Sequence, residues 1–165
     1  MRLFGDRRGF TLTEVLVAAM ILLIALLSLA SMFPVGYRQI TDAGRMTMAV
    51  TAGRQVLEDA GTLPFANVIN LNGVDTASNT GVIAGLTGPE SAAARRWRYM
   101  LAGSGNGFAF TPAETTAWGN VQPYAARAVV SVTAPNPTLN QVTVTVTIPG
   151  LPSSVTLSTM IVRMF

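Results

Sequence analysis

The residues able to do chemistry are few, and their types exclude more than they permit. The 165-residue chain has no Cys and no His, so thiolate and imidazole metal sites, disulfides and Ser-His or Cys-His relays are outside its means. Asp42, Glu58, Asp59, Asp75, Glu90 and Glu114 are scattered, and the loop acids have no spacing that would pair carboxylates for acid–base work or gather them round a metal. Glu58 and Asp59 are adjacent, but neighbours on a helix point apart. No catalytic residue, metal or cofactor is expected, and the chain does not read as an enzyme. Gly103-Ser104-Gly105-Asn106-Gly107 lacks the Lys-Ser/Thr ending and the following helix of a phosphate loop, and reads as a turn. Arg95, Arg96 and Arg98 interleave with Trp97 and Tyr99 in the one basic-aromatic cluster. Three arginines make few phosphate contacts, so nucleic acid is not an expected partner. The pI of 10.2 reflects 11 basic residues that are all Arg, against 8 acids. What remains is Glu14, a lone carboxylate at the edge of a long apolar run.

That run sets the architecture. Between Glu14 and Arg38 lie 23 residues without a charge, and 21 of the 28 residues from Phe10 to Tyr37 are hydrophobic. Val15 to Phe33 supplies 19 residues with no helix breaker before Pro34, against the roughly 20 that cross a bilayer. The pattern predicts a transmembrane helix over 10–37. A cleaved secretory signal fits less well, because its apolar region spans only about 7–15 residues and ends in a small-residue cleavage site. Arg2, Arg7 and Arg8 precede the run, so the positive-inside rule holds the N-terminus in the cytoplasm and sends residues 38–165 across the membrane.

Gly9-Phe10-Thr11-Leu12-Thr13-Glu14-Val15-Leu16, following a short basic stretch, resembles the type IV prepilin processing motif. The resemblance implies that residues 1–9 are a leader, that prepilin peptidase cuts between Gly9 and Phe10, and that the new amino group of Phe10 is methylated. It also implies that Glu14, fifth in the mature chain, pairs with the N-terminal amine of a neighbouring subunit. Physical chemistry asks for a partner as well, since a carboxylate costs about 2.5–3.5 kcal/mol at a bilayer centre and less near the interface. Ala52-Gly53-Arg54-Gln55-Val56-Leu57-Glu58 leading to Leu63-Pro64-Phe65, and the C-terminal Val155 to Val162, look like minor pilins of the type IV pilus modification class. Type II secretion pseudopilins share much of this pattern. The absence of Cys argues against a major pilin, which often closes a C-terminal loop with a disulfide. The implied partners are prepilin peptidase, other pilin or pseudopilin subunits and the inner membrane, and the destination is a pilus or pseudopilus. A membrane-anchored binding module or a DNA-uptake contact protein is the reading from another class.

The rest of the chain must then form a C-terminal part. Pro34-Val35-Gly36 predicts a kink or melted turn. The helix resumes over 38–61, where Ile40, Ala43, Met46, Val50, Gly53 and Leu57 form an apolar stripe, with Met46 and Met48 as core fillers and Arg38–Asp42 and Arg54–Glu58 as surface pairs. Residues 62–93 read as a long connection with room for one short element, its Leu63, Phe65, Val68 and Ile69 lying against the domain. Over 94–165 strands are predicted. Trp97–Leu101 and Phe108–Phe110 make a hairpin with the aromatics inward and Arg96 and Arg98 outward, followed by Tyr124–Thr133, Gln141–Ile148 and Val155–Met164 as antiparallel neighbours. Val142, Val144, Val146 and Ile148 alternate with Thr143, Thr145 and Thr147, the signature of one buried and one wet face. The 35 residues between Arg127 and Arg163 carry no charge, a hazard for any free edge unless the strands lie mid-sheet or pack in a fibre. The expected fold is α+β and pilin-like: a long N-terminal helix, half transmembrane and half amphipathic, packed on a C-terminal antiparallel sheet.

Overall fold

The computed structural model describes residues 9–78, 81–104, 108–119 and 123–163. The chain forms two compact units, Met1–Thr41 and Asp42–Phe165. The basic residues Arg2, Arg7 and Arg8, and most of the expected leader, lie outside the described residues.

Helix α1 covers Leu12–Thr62 and contributes to both units. It runs on through Pro34, so the melted turn expected at Pro34-Val35-Gly36 does not form. Proline removes one ladder bond, and the helix continues on both sides of that gap.

In the second unit the strands β1 (Arg127–Asn136), β2 (Leu139–Thr147) and β3 (Val155–Val162) form one sheet in the order β1-β2-β3. Both pairings are antiparallel, with Val130 opposite Val144 and Val144 opposite Leu157. The alternation read in β2 is realised: Val142, Val144 and Val146 are buried while Thr143, Thr145 and Thr147 are turned outward. Ala128, Val130 and Val132 bury the matching face of β1.

Residues 42–62 of α1 cover that face, as expected for an α+β fold of this kind, but with a stripe that shares only Gly53 with the expected one. The buried positions are Ala49, Ala52, Gly53, Val56 and Ala60. Ile40 is exposed, and Met46 and Met48 are each 48% exposed rather than filling the core. The reason is separation. A Cβ built on Gly53 would stand 2.8 Å from Leu157 Cδ1 and 3.4 Å from Val146 Cγ2, so the helix backbone rests almost directly on the sheet. Only small side chains fit beneath it. Val50 and Leu57, both of the predicted stripe, pack at its margin. Asp42 meets Arg45, three residues on, at 3.8 Å.

The expected hairpin at 97–110 is not formed. Residues Pro89–Leu101 are a helix, here α4, and the sheet begins only at Arg127. Pro89 opens α4, Glu90 sits in its first turn and Ala92-Ala93-Ala94 favour the helix. Its buried face, Ala94, Trp97, Arg98 and Leu101, follows the i, i+3, i+4, i+7 period. Trp97 is fully buried and its indole N–H donates to Asp59 Oδ2 at 2.8 Å, tying α4 to α1.

The 62–93 connection is more ordered than its composition predicts. It holds α2 (Phe65–Val68), a 3-10 turn (Ile69–Leu71), α3 (Val82–Gly85) and the start of α4. Val68 and Leu71 are buried, whereas Ile69 is exposed. Residues 72–76 lie along the outer edge of β1: Gly73 N–H donates to Val130 C=O (2.9 Å), Val130 N–H to Val74 C=O (2.8 Å) and Thr76 N–H to Ala128 C=O (3.0 Å). Asn72 Oδ1 and Thr76 Oγ1 accept from the Val132 and Ala128 amides. The loop thus seals one edge of the sheet, a role that periodicity in the sequence does not encode.

The helix–sheet contact generates a graded prediction. Gly53→Ala should be close to neutral, because Leu157 Cδ1 can swing aside and alanine favours the helix by up to about 1 kcal/mol. Gly53→Val should cost about 1–3 kcal/mol through overpacking. Urea midpoints of the two variants in detergent check this, and a Val variant as stable as the parent would refute the close-contact constraint.

Candidate functional site

Gly9 and Phe10 lie outside regular structure just before α1, and both are exposed. The first helical residue is Leu12, so Thr11 occupies the N-cap position and Glu14 the third position of the helix. Glu14 Oε2 accepts from the backbone N–H of Thr11 at 2.8 Å and from its hydroxyl at 2.8 Å. The Glu14 amide donates back to Thr11 Oγ1 at 3.3 Å. This is a reciprocal capping box, which satisfies amides that no helical carbonyl reaches and sets a carboxylate at the positive end of the helix. Thr11 is a residue that sequence reasoning passed over. Its signal was present, since Thr and Glu three apart at the head of an apolar run is the capping-box spacing.

Phe10, Glu14, Ala18 and Leu22 lie along one side of this segment. Beyond it, large apolar side chains from Val15 to Val35 are exposed all round the helix. The polar side chains within the span are satisfied internally: Ser28 Oγ donates to Ile24 C=O at 2.9 Å and Ser31 Oγ to Ser28 C=O at 2.7 Å. Such bonding lets hydroxyls enter an apolar medium without leaving a donor stranded. Among the described residues α1 is the one helix long and apolar enough to cross a membrane. Residues 5–30, which include Gly9, Phe10 and Glu14, match the prokaryotic N-terminal methylation motif.

The chain is type IV prepilin-like. The motif supports a pilin or pseudopilin precursor, a structural subunit in kind, with an N-terminal segment suited to membrane anchoring and assembly. The chain matches no curated protein and no solved structure.

The other candidate, the basic-aromatic cluster, is resolved differently from its prediction. On α4 rather than a strand, Arg98 turns inward beside Trp97 and is 1% exposed. Its Nη1 donates to the carbonyls of Thr76, at 3.1 Å, and Ser78, and its guanidinium stacks 4.4 Å from the Phe108 ring. Burial pulls the Arg98 pKa down and nearby Asp75 acts against this. Arg95 forms a forked pair with Glu114 through Nε and Nη2, the latter at 2.8 Å. Of the three arginines, Arg96 is the exposed one. Tyr99 points to neither core nor open solvent but into an aromatic group with Phe110 (5.1 Å) and Trp118 (5.5 Å). The cluster is thus a structural joint. Of the glycine stretch next to it, residues 105–107 lie outside the described residues.

Most of the scattered acids are likewise occupied by structure. Asp59 holds Trp97, and Asp75 accepts from Arg127 at 2.6 Å. Glu90 is buried and takes the side-chain amides of Asn67 (2.8 Å) and Asn70 (2.9 Å). Its own backbone N–H and then Asn70 hold its carboxyl below the ordinary range. A side chain on Gly88 would collide with this carboxylate, so the glycine preceding α4 is fixed by the buried charge. Among the described residues no three acids gather as a metal site.

Glu114 also caps α5 (Pro112–Trp118) with Thr111. The Arg95 hydrogen bond, assisted by Thr111 and opposed by burial, lowers its pKa from 4.5 to about 2. A folded-state value below the unfolded one means that the pairing stabilises fully above about pH 4.5 and is lost as pH falls towards 2. Arg95→Met should therefore flatten the acid limb: between pH 5 and pH 2, roughly, its melting temperature should fall less than the parent's. Parallel curves would show that the pair carries no pH-linked stability.

Proposed function

We propose that this chain is a minor pilin subunit of a type IV pilus, cut by prepilin peptidase between Gly9 and Phe10, methylated on the Phe10 amine, and incorporated in or priming the fibre. The observation that carries the reading is the methylation-motif match over a segment whose Glu14 carboxylate caps an exposed apolar helix. In this reading the helix anchors the precursor in the inner membrane with its N-terminus cytoplasmic and residues 38–165 on the far side. The partners are the peptidase, the membrane and other pilin subunits. The absence of Cys favours a minor over a major subunit.

Glu14 has the chemistry for the assembly step. Oε2 is engaged by Thr11, and among the described residues nothing hydrogen-bonds to Oε1. Oε1 is the acceptor that the amine of a neighbouring subunit would meet. Pairing there cancels two charges as subunits leave lipid for a packed helical core, where an unpaired charge is costly.

Replacing Gly9 by Val, with co-expressed prepilin peptidase, should leave the intact precursor mass, whereas the parent loses residues 1–9. A processed mass for the variant would sink the cleavage assignment. Glu14→Ala should be cleaved normally but enter sheared fibres poorly, and undiminished incorporation would refute the pairing role.

A further inference from the structure

The two edges of the sheet are treated differently. One is sealed by residues 72–76, as described above. On the other, the phase of the ladder is set by a 2.9 Å bond from Arg163 N–H to Thr138 C=O beside the Val162–Leu139 pair. That bond makes Val162 and Leu139 a non-hydrogen-bonded pair. Val155, Leu157, Thr159 and Ile161 therefore direct their N–H and C=O groups to β2, while Thr156, Ser158, Met160 and Val162 direct theirs away from the sheet. Among the described residues nothing pairs with these outward groups.

Natural sheets protect a free edge with charge, proline or a bulge. Val155–Val162 has no charge and no proline, and its register with β2 is continuous. The flanking side chains are also unfinished. Met160 and Val162 are 62% and 61% exposed on the outer face, and Leu157 and Ile161 are only partly covered on the inner face. Beside them runs a slot of about 380 Å³ between Arg54, Leu57 and Glu58 of α1 and Leu157, Ser158 and Thr159 of β3. It leaves room for inward-pointing side chains of one more strand.

We propose that the outer edge of β3 is a strand-addition site whose occupant is an uncharged extended segment of another protein subunit, laid antiparallel to β3. The backbone groups specify an extended chain, since only a strand matches alternate donors and acceptors in line. The partner's side chains are apolar opposite Met160 and Val162 and small or apolar over the slot. A second copy of this chain is a poor fit. Its β1 edge is sealed, and antiparallel β3–β3 pairing would run residues 42–62 of the two copies in opposite directions across the joined sheets. The proposal goes beyond the processing and pairing reading and does not depend on it, because strand addition is read without cleavage or fibres.

The probe is a fluorescent synthetic peptide with the sequence of Leu139–Thr147, the strand that already matches β3 on its other side, added to the full chain in detergent micelles. Saturable binding is expected, with slowed amide hydrogen exchange at Thr156, Ser158, Met160 and Val162. Met160→Pro removes one outward N–H and no bond to β2, and should weaken binding about tenfold. Met160→Lys should weaken it as well, by charging the edge. Unchanged exchange at the β2 amides shows that the sheet of each variant is intact. Equal affinity in parent and variants, protection away from β3, or no binding would overturn the proposal. Slow exchange at the four amides without peptide, or a dimer that the peptide disrupts, would also overturn it by assigning the edge to the chain itself or to a second copy.

Discussion

The close seating of α1 on the sheet at Gly53 is the contact on which the rest of the C-terminal unit depends. With Ala49, Ala52 and Ala60 on the same face, the helix backbone approaches the valines of β1 and β2 without intervening bulk. Dispersion at that range is strong because each atom of the interface finds neighbours on both sides. The arrangement also leaves Asp59 positioned to receive the Trp97 indole, so α4 is seated by a helix that is itself seated by the sheet. Larger residues beneath α1 would lift it and displace both contacts.

A second theme is the handling of charge. A chain with 12% charged residues has few ions to spare, and most acids of the described region are committed to structural partners. Arg98 is the expensive case. A buried guanidinium is tolerable because carbonyls of Thr76 and Ser78 and the face of Phe108 replace part of its hydration. Glu90 is handled in the same way from the opposite sign, with two asparagine amides and a glycine that gives it room. Glu14 stands apart as a carboxylate set at the end of a helix that offers it little but its own first turn.

How much of this the sequence discloses depends on the length of the pattern. The apolar run, the alternating Val and Thr of β2 and the punctuation by Pro and Gly between strands are long or sharply bounded, and the helix, the three strands and their antiparallel order follow from them. The face of α1 is only partly legible because alanine is ambiguous: Gly53 falls on the expected stripe, but alanine is a helix former on any side, and only the close approach of the sheet at Gly53 reveals that Ala49, Ala52 and Ala60 face inward with it. The segment Trp97–Leu101 looked like a strand because aromatic residues favour sheets, but Pro89 and the alanines ahead of it nucleate a helix that carries through. The sealing of the β1 edge by 72–76 is invisible locally, since it consists of backbone–backbone and backbone–side-chain bonds between segments more than 50 residues apart. At the N-terminus the motif residues were legible as a motif, while the reciprocal Thr11–Glu14 cap was legible only as physics.

The sealed edge has a consequence for stoichiometry. A sheet with two open sides can grow from both and propagate into a ribbon, each new strand offering a fresh template. With residues 72–76 clamped along β1, this sheet has a valence of one, and only on the β3 side. Whatever pairs there ends the series as far as this molecule is concerned, so a chain whose residues 128–162 carry no charge can take part in a larger assembly through its sheet without turning that sheet into the axis of polymerisation.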